Sequence, residues 1–235
     1  MCGDIHGELV SLVYDLTERY KIDNADILVL GDFGAGFGGP NSLSVLYDRV
    51  KKRLEKHDIV IHAIRGNHDD PSFFDGQHDY ERLKLLPDHI VVEICGKKIY
   101  PVGGAVSVDV DRKDAKGMSR RDYNDKYKRF GSSRRCWWED EAPVEKMKGL
   151  PVSVDIIVSH DAPLGFDPVP LRPEDVSFET WEKILACRRY LDHVQYEVRA
   201  KWWFYGHHHH SFSGHIGDLK YRGLGINELF EVFGE

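Results

Sequence analysis

Three observations predict an α/β fold for this 235-residue chain. Short β-type runs alternate with amphipathic helical patterns through the first two-thirds. Several of those runs end in a glycine followed by Asp, Asn or His, the places where the strands of an open α/β sheet present ligands. The length suits one domain, and no linker or internal repeat divides it. The chain therefore reads as a single domain over 1–235, with a basic insertion at about 106–150.

The elements follow in order. Leu9, Leu12, Val13 and Leu16 recur at helical spacing and predict a helix from Glu8 to Tyr20. Ala25–Leu30, apolar but for Asp26, reads as a buried strand. A helix is predicted over Ser42–Lys56, capped by Asn41 or Ser42 after Pro40. Ile59–Ile64 is the next strand. Ile90–Ile94 and Lys97–Val102 form a hairpin across Cys95-Gly96. A strand at Val154–Ser159, a helix near Phe178–Val194 and a strand at Lys201–Tyr205 follow, and Ser211–Phe233 breaks into short β-pieces. One further strand should lead into Gly3-Asp4, yet only Met1 and Cys2 precede them, so a few N-terminal residues are expected to be missing.

Composition excludes several classes. Lys+Arg 32 against Asp+Glu 39 gives a formal net charge of −7, which argues against tight non-specific DNA binding. No run of 18 apolar residues exists to span a membrane. The start, Met1-Cys2-Gly3-Asp4, has neither signal-peptide nor transit-peptide character. The cysteines Cys2, Cys95, Cys136 and Cys187 show no paired spacing and read as reduced thiols of a cytoplasmic protein. The charge is uneven: from Arg112 to Arg135, ten Lys/Arg against three Asp give 10 − 3 = +7 and leave −14 elsewhere. Such a segment can hold a phosphate-bearing substrate, or be a solvated surface.

The chemistry lies in five motifs: Gly3-Asp4-Ile5-His6-Gly7, Gly31-Asp32-Phe33-Gly34, Gly66-Asn67-His68-Asp69, Ser159-His160-Asp161 and Gly206-His207-His208-His209. Alone, each is ordinary. A Gly-Asp pair usually marks a turn, Asn67 suits a helix cap, and His160 suits a satisfied core histidine. The His207–His210 run resembles a tag, but β-patterned sequence follows it. Together, after predicted strands, they place carboxylates, imidazoles and one carboxamide in a common crevice, a mixture suited to Mn, Fe or Zn. No thiol enters any motif, which disfavours structural zinc or iron–sulfur.

In this order the motifs resemble those of the calcineurin-like metallophosphoesterases: GDxHG, a GD motif, GNHD, a strand-end His and GHxH. The GDxHG and GNHD forms are most similar to the serine/threonine phosphoprotein phosphatase branch and its bacterial and phage relatives. The resemblance spans Gly3 to His209. It implies a four-layer α/β/β/α sandwich with two mixed sheets and a two-metal centre. One metal would be held by Asp4, His6, Asp32 and His209, and the other by Asp32, Asn67, His160 and His207, with Asp32 bridging. His208 fills the variable position and should point away. The implied function is hydrolysis of phosphomonoesters by a hydroxide bridging two divalent ions, with manganese first in line and Fe or Zn as alternatives. His68 would act as general acid.

The second motif departs from the branch pattern. Ala35 stands where a carboxylate would orient the general-acid histidine, and Gly36 where an arginine would bind phosphate. Asp69 or Asp70 is the expected substitute for the first. Arg65, Arg112, Arg120 and Arg121 are the expected phosphate binders, because guanidinium matches phosphate oxygens bidentately. The expected partner is a phosphorylated small molecule, phosphoprotein or nucleotide. Nucleic acid is left open by the basic segment and by Trp137-Trp138, which are read foremost as packing.

Three rival readings compete with this one. A phosphodiesterase or nuclease would use the same centre. A catalytically inactive scaffold would keep the fold, but all seven ligand positions are filled. A dinucleotide-binding module is suggested by Gly34-Ala35-Gly36-Phe37-Gly38-Gly39, yet the strand Ile59–Ile64 ends in Arg65-Gly66-Asn67, with no acid for a ribose.

Overall fold

A computed structural model describes residues 1–113, 117–129 and 137–232. Helix α1 (Leu9–Tyr14) continues into a single π turn, Asp15–Arg19, so the predicted helix is one piece with a widened end. There the Thr17 hydroxyl bonds back to the Val13 carbonyl at 2.8 Å, a local competitor of the regular ladder. Strand β1 (Ala25–Val29), helix α2 (Ser42–Lys56) and strand β2 (Ile59–Ala63) follow as the periodicity predicts. A small hairpin, β3 (Asp79–Tyr80) and β4 (Leu83–Leu85), is too short to register as a pattern.

Next come β5 (Val92–Ile94) and β6 (Lys97–Val102), then helix α3 (Arg120–Arg129) inside the basic insertion. Strand β7 (Ile156–Ser159), helix α4 (Phe178–Glu197) and strand β8 (Trp202–Tyr205) complete the predicted set. The tail forms a hairpin, β9 (Phe212–Ile216) and β10 (Leu219–Gly223). Lys116, Arg134, Arg135 and Cys136 of the sequence argument lie outside the described residues.

The strands form two mixed sheets, ordered β1-β2-β4-β3 and β5-β6-β7-β8-β10-β9. Three apolar clusters explain the layering. Leu28, Leu30 and Ile64 of the first sheet meet Ile99, Ile156, Val158 and Phe204 of the second, forming the inter-sheet core. The first sheet's other face packs on α1 and α2 through Leu9, Val13, Val50 and Leu54. The second sheet's other face packs on α4 through Tyr190, Leu191 and Val194. The result is the expected α/β/β/α sandwich. Strand β7 is buried along its whole length, and β8 beyond Trp202, because both faces of that sheet are covered there.

The residues before Asp4 lie against the first sheet. Cys2 bridges Val29 in parallel, its N–H donating to the Leu28 carbonyl at 2.8 Å and its carbonyl accepting from Leu30 at 2.9 Å. On its other side Cys2 pairs with Leu229. These pairings of Cys2 deliver Asp4 beside the end of β1.

Candidate metal centre

Five chain segments reach the centre at strand ends: residue 4 after the Cys2 pairing, 32 after β1, 67 after β2, 160 after β7 and 207 after β8. These strands run parallel within their sheets, so their carboxyl ends converge. Glycines make the approach close enough. A Cβ on Gly31 would stand 2.1 Å from His160 Nδ1, and one on Gly66 would stand 2.2 Å from Asp32 Oδ1. His6, Asp32, His207 and His209 all adopt left-handed backbone, with φ of 44°, 47°, 62° and 56°. Non-glycine residues rarely do so, and such strain collects at functional sites.

The side chains form two adjoining groups. In the first, donor atoms of Asp4, His6, Asp32 and His209 lie within 4.8 Å of one another. His209 Nε2 is 3.2 Å from Asp4 Oδ2 and 3.2 Å from His6 Nε2, and His6 Nδ1 is 3.7 Å from Asp32 Oδ2. In the second, His160 Nε2 sits 2.9 Å from Asn67 Oδ1 and 3.3 Å from Asp32 Oδ1. The His207 ring lies 5.0 Å from that of His160, centroid to centroid. Asp32 belongs to both groups. His160 Nδ1 donates to the Leu30 carbonyl at 2.7 Å, which fixes the ring so that Nε2 faces the group.

The electrostatics suit a cation. Asp4 and Asp32 are buried, and among the described residues their ion-pair partners are all histidines. Burial pushes Asp32 up, but the opposing charge and hydrogen bond of His160, with His68 and His6, hold its carboxyl well below the usual range. Burial lowers His160, yet Asp32 and Asp4 outweigh it and raise it to about 10. Burial drives His207 well below its ordinary value, and it lowers His6. Two buried carboxylates and a neutral, buried imidazole form an oxygen–nitrogen donor set that fits a divalent ion such as Mn, Fe or Zn.

Several expectations for the surroundings need correction. Asp69 does not orient His68. It is fully buried and accepts from the backbone N–H groups of Phe33, Gly34, Ala35 and Gly66 at 2.6–3.0 Å, tying the second and third motifs together. Burial and neighbouring Asp32 raise it to about 6. Asp70 caps the short turn Pro71–Phe74 by accepting from Ser72.

Arg65 is buried and is not among the residues that line the pocket. It is 2% exposed, and its guanidinium is engaged by Asp88 and by the carbonyls of Gly103, Asp140, Glu141 and Ala142. A side chain directly before Gly66 looked available in sequence, but its strand end faces the protein interior. Of the other arginines, Arg112 lines the pocket and bonds Asp175 at 2.8 Å. Arg120 Nε stands 3.7 Å from Asp109, and Arg121 lies over the Trp137 ring.

His208 joins neither donor group. It is nearly buried and bonds the buried Asp161 at 3.0 Å, and both line the pocket. This contact, with His207 and Arg188 nearby, overcomes burial and lowers Asp161 to about 2. The pocket, about 250 Å³, opens from Asp32, Asn67 and His68 toward an apolar wall of Val169, Pro173, Trp181 and Ile184. Sequence reasoning missed this wall because an amphipathic helix does not announce which side chains border a cavity. Within Gly34–Gly39, Gly34 packs on Gly7, and Gly36 on Asp70 and the buried Trp138.

No curated protein matches the chain. A family-level comparison does: the calcineurin-like phosphoesterase profile matches residues 1–211, the stretch that carries all five motifs and both sheets up to β8. No helix among the described residues is long and apolar enough to cross a membrane. On the extent of that match, and with the sandwich fold and the clustered Asp4, His6, Asp32 and His209, the chain belongs to the calcineurin-like phosphoesterase family, whose members are generally metal-dependent hydrolases.

Proposed function

We propose that the protein is a metal-dependent phosphomonoesterase, with Asp4, His6, Asp32 and His209 holding one divalent ion and Asp32, Asn67, His160 and His207 the other. The observation that carries the reading is the shared position of Asp32. One carboxylate oxygen faces His160 at 3.3 Å and the other faces His6 at 3.7 Å, so a single residue joins the two donor groups. Bound divalent ions would supply the charge that activates water and neutralises the transferring phosphoryl group. The protein's own residues do the rest. His68, whose backbone N–H donates to Asp32 Oδ1 at 2.9 Å, is held beside the centre and lines the pocket. As general acid it passes a proton to the leaving alkoxide as that oxygen parts from phosphorus, and ends as neutral imidazole. The apolar wall and Arg112 receive the leaving group.

A pocket of about 250 Å³ is below the usual range for drug-sized ligands, which favours a small phosphomonoester over an oligonucleotide. Manganese is the metal of first choice. Cys2, Cys95 and Cys187 are free thiols, in keeping with a cytoplasmic setting.

The test offers metal-stripped protein p-nitrophenyl phosphate and bis-p-nitrophenyl phosphate, with and without manganese. Manganese-dependent turnover of the monoester in preference to the diester is expected. Preference for the diester would replace this reading with a phosphodiesterase. Absence of both turnover and metal binding would leave a non-catalytic scaffold.

A further inference from the structure

We propose that Asp109 is a positioning residue for His68, supplying from outside the motifs the carboxylate that Ala35 does not provide. The inference rests on the phosphomonoesterase reading above and on one juxtaposition. His68 Nε2 lies 3.7 Å from Asp109 Oδ2, and both residues line the pocket. At that separation the ring nitrogen and the carboxylate face each other without a direct hydrogen bond.

Asp109 is aimed by its surroundings. It sits in the short turn Val108–Val110, where its N–H donates to the Ser107 hydroxyl at 3.1 Å. The Ser107 N–H is held by Glu141 Oε1 at 2.8 Å. Beyond the turn, Asp111 accepts from the Ser177 N–H at the start of α4, and Arg112 bonds Asp175. The turn is thus fastened on both sides, and the Asp109 carboxylate faces the site. Arg120 Nε of α3 stands 3.7 Å from the same oxygen, so the carboxylate links the basic insertion to the centre. Asp69 and Asp70, the nearer acids in sequence, are engaged by backbone groups and by Ser72.

A carboxylate beside the ring limits its rotation and keeps it facing the pocket, where the proton is passed. Once the proton has left with the alkoxide, the neutral ring regains one from solvent.

The experiment uses the full, manganese-loaded chain and a series of monoesters, from p-nitrophenyl to phenyl to alkyl phosphate. Asp109→Asn is expected to lower kcat by about tenfold to 100-fold for phenyl and alkyl esters, and less for p-nitrophenyl phosphate. KM and bound metal per chain should hold, and Asp109→Glu should recover most of the rate. In a His68→Ala background, Asp109→Asn should cost no more than about twofold further, since the two act as a unit. Asp109→Ser serves if the Asn variant is unstable. A loss equal for all leaving groups, or one repeated in the His68→Ala background, would overturn the inference while leaving the phosphomonoesterase reading intact. If the wild-type chain hydrolyses none of these esters, that reading falls and the role of Asp109 falls with it.

Discussion

Replacing Arg65 separates an anchoring role from a substrate-binding one. Its guanidinium makes short bonds to the Glu141 carbonyl (2.8 Å), Asp88 Oδ2 (3.0 Å) and the Ala142 carbonyl (3.0 Å), with longer ones to Gly103 and Asp140. These join the end of β2 to the end of β6 and to the chain leaving the insertion. Arg65→Met keeps the apolar stem but leaves the Asp88 carboxylate without its cation and the Ala142 carbonyl without this donor. Asp88 would retain the Gly103 N–H at 2.7 Å, and the Glu141 carbonyl the Ala105 N–H at 3.2 Å, so the damage is partial. Breaking one side of a buried ion pair costs about 3–5 kcal/mol. Urea unfolding at pH 7 should show that loss as a lower midpoint with an unchanged slope. Inhibition by inorganic phosphate, measured at low temperature where the variant is folded, should keep its constant within about threefold. A stability loss under about 1 kcal/mol with a large rise in that constant would refute the anchoring argument and restore Arg65 as a phosphate ligand.

Three further outcomes are expected. Asp32→Asn removes the charge shared by both donor groups, so metal content by elemental analysis and ester hydrolysis should be lost together; metal retained at two ions per chain would contradict the bridging role. His68→Ala should keep its metal but lower kcat by about 10²–10⁴, most for alkyl phosphates, and unchanged turnover of those esters would remove His68 as general acid. Glu141 is raised by burial from 4.5 to about 8, against the pull of the Ser107 N–H. The unfolded carboxyl therefore ionises first, and stability falls as pH rises from about 4.5 to about 8, by up to about 5 kcal/mol. Glu141→Gln should flatten that stretch of the stability–pH curve, and parallel curves for the two proteins would rule this carboxyl out.

Much of the molecule was legible in the sequence. Helix and strand periodicity located α1, α2, α4 and the long strands, because both faces of each sheet are covered and burial writes itself into local pattern. The five motifs predicted which residues would meet, because a glycine after a strand lets a polar side chain leave the sheet at its carboxyl end. What stayed hidden was decided by groups far apart in the chain. Whether Arg65 faced substrate or interior depended on the carbonyls of residues 140–142, and no local pattern encodes so distant an acceptor. Asp69 looked like a catalytic neighbour of His68, but four backbone N–H groups had already claimed it. His208 looked like a spacer until Asp161 met it from another strand end. The carboxylate that faces His68 comes from Asp109, 41 positions later. The sequence by itself determined the α/β class, the strand order of the motifs and the chemical types at the centre, all consequences of local periodicity and turn chemistry. Only the tertiary structure decided which charged side chains face the pocket and which serve the interior, because a buried charge must be matched by partners that the fold alone brings within hydrogen-bond reach.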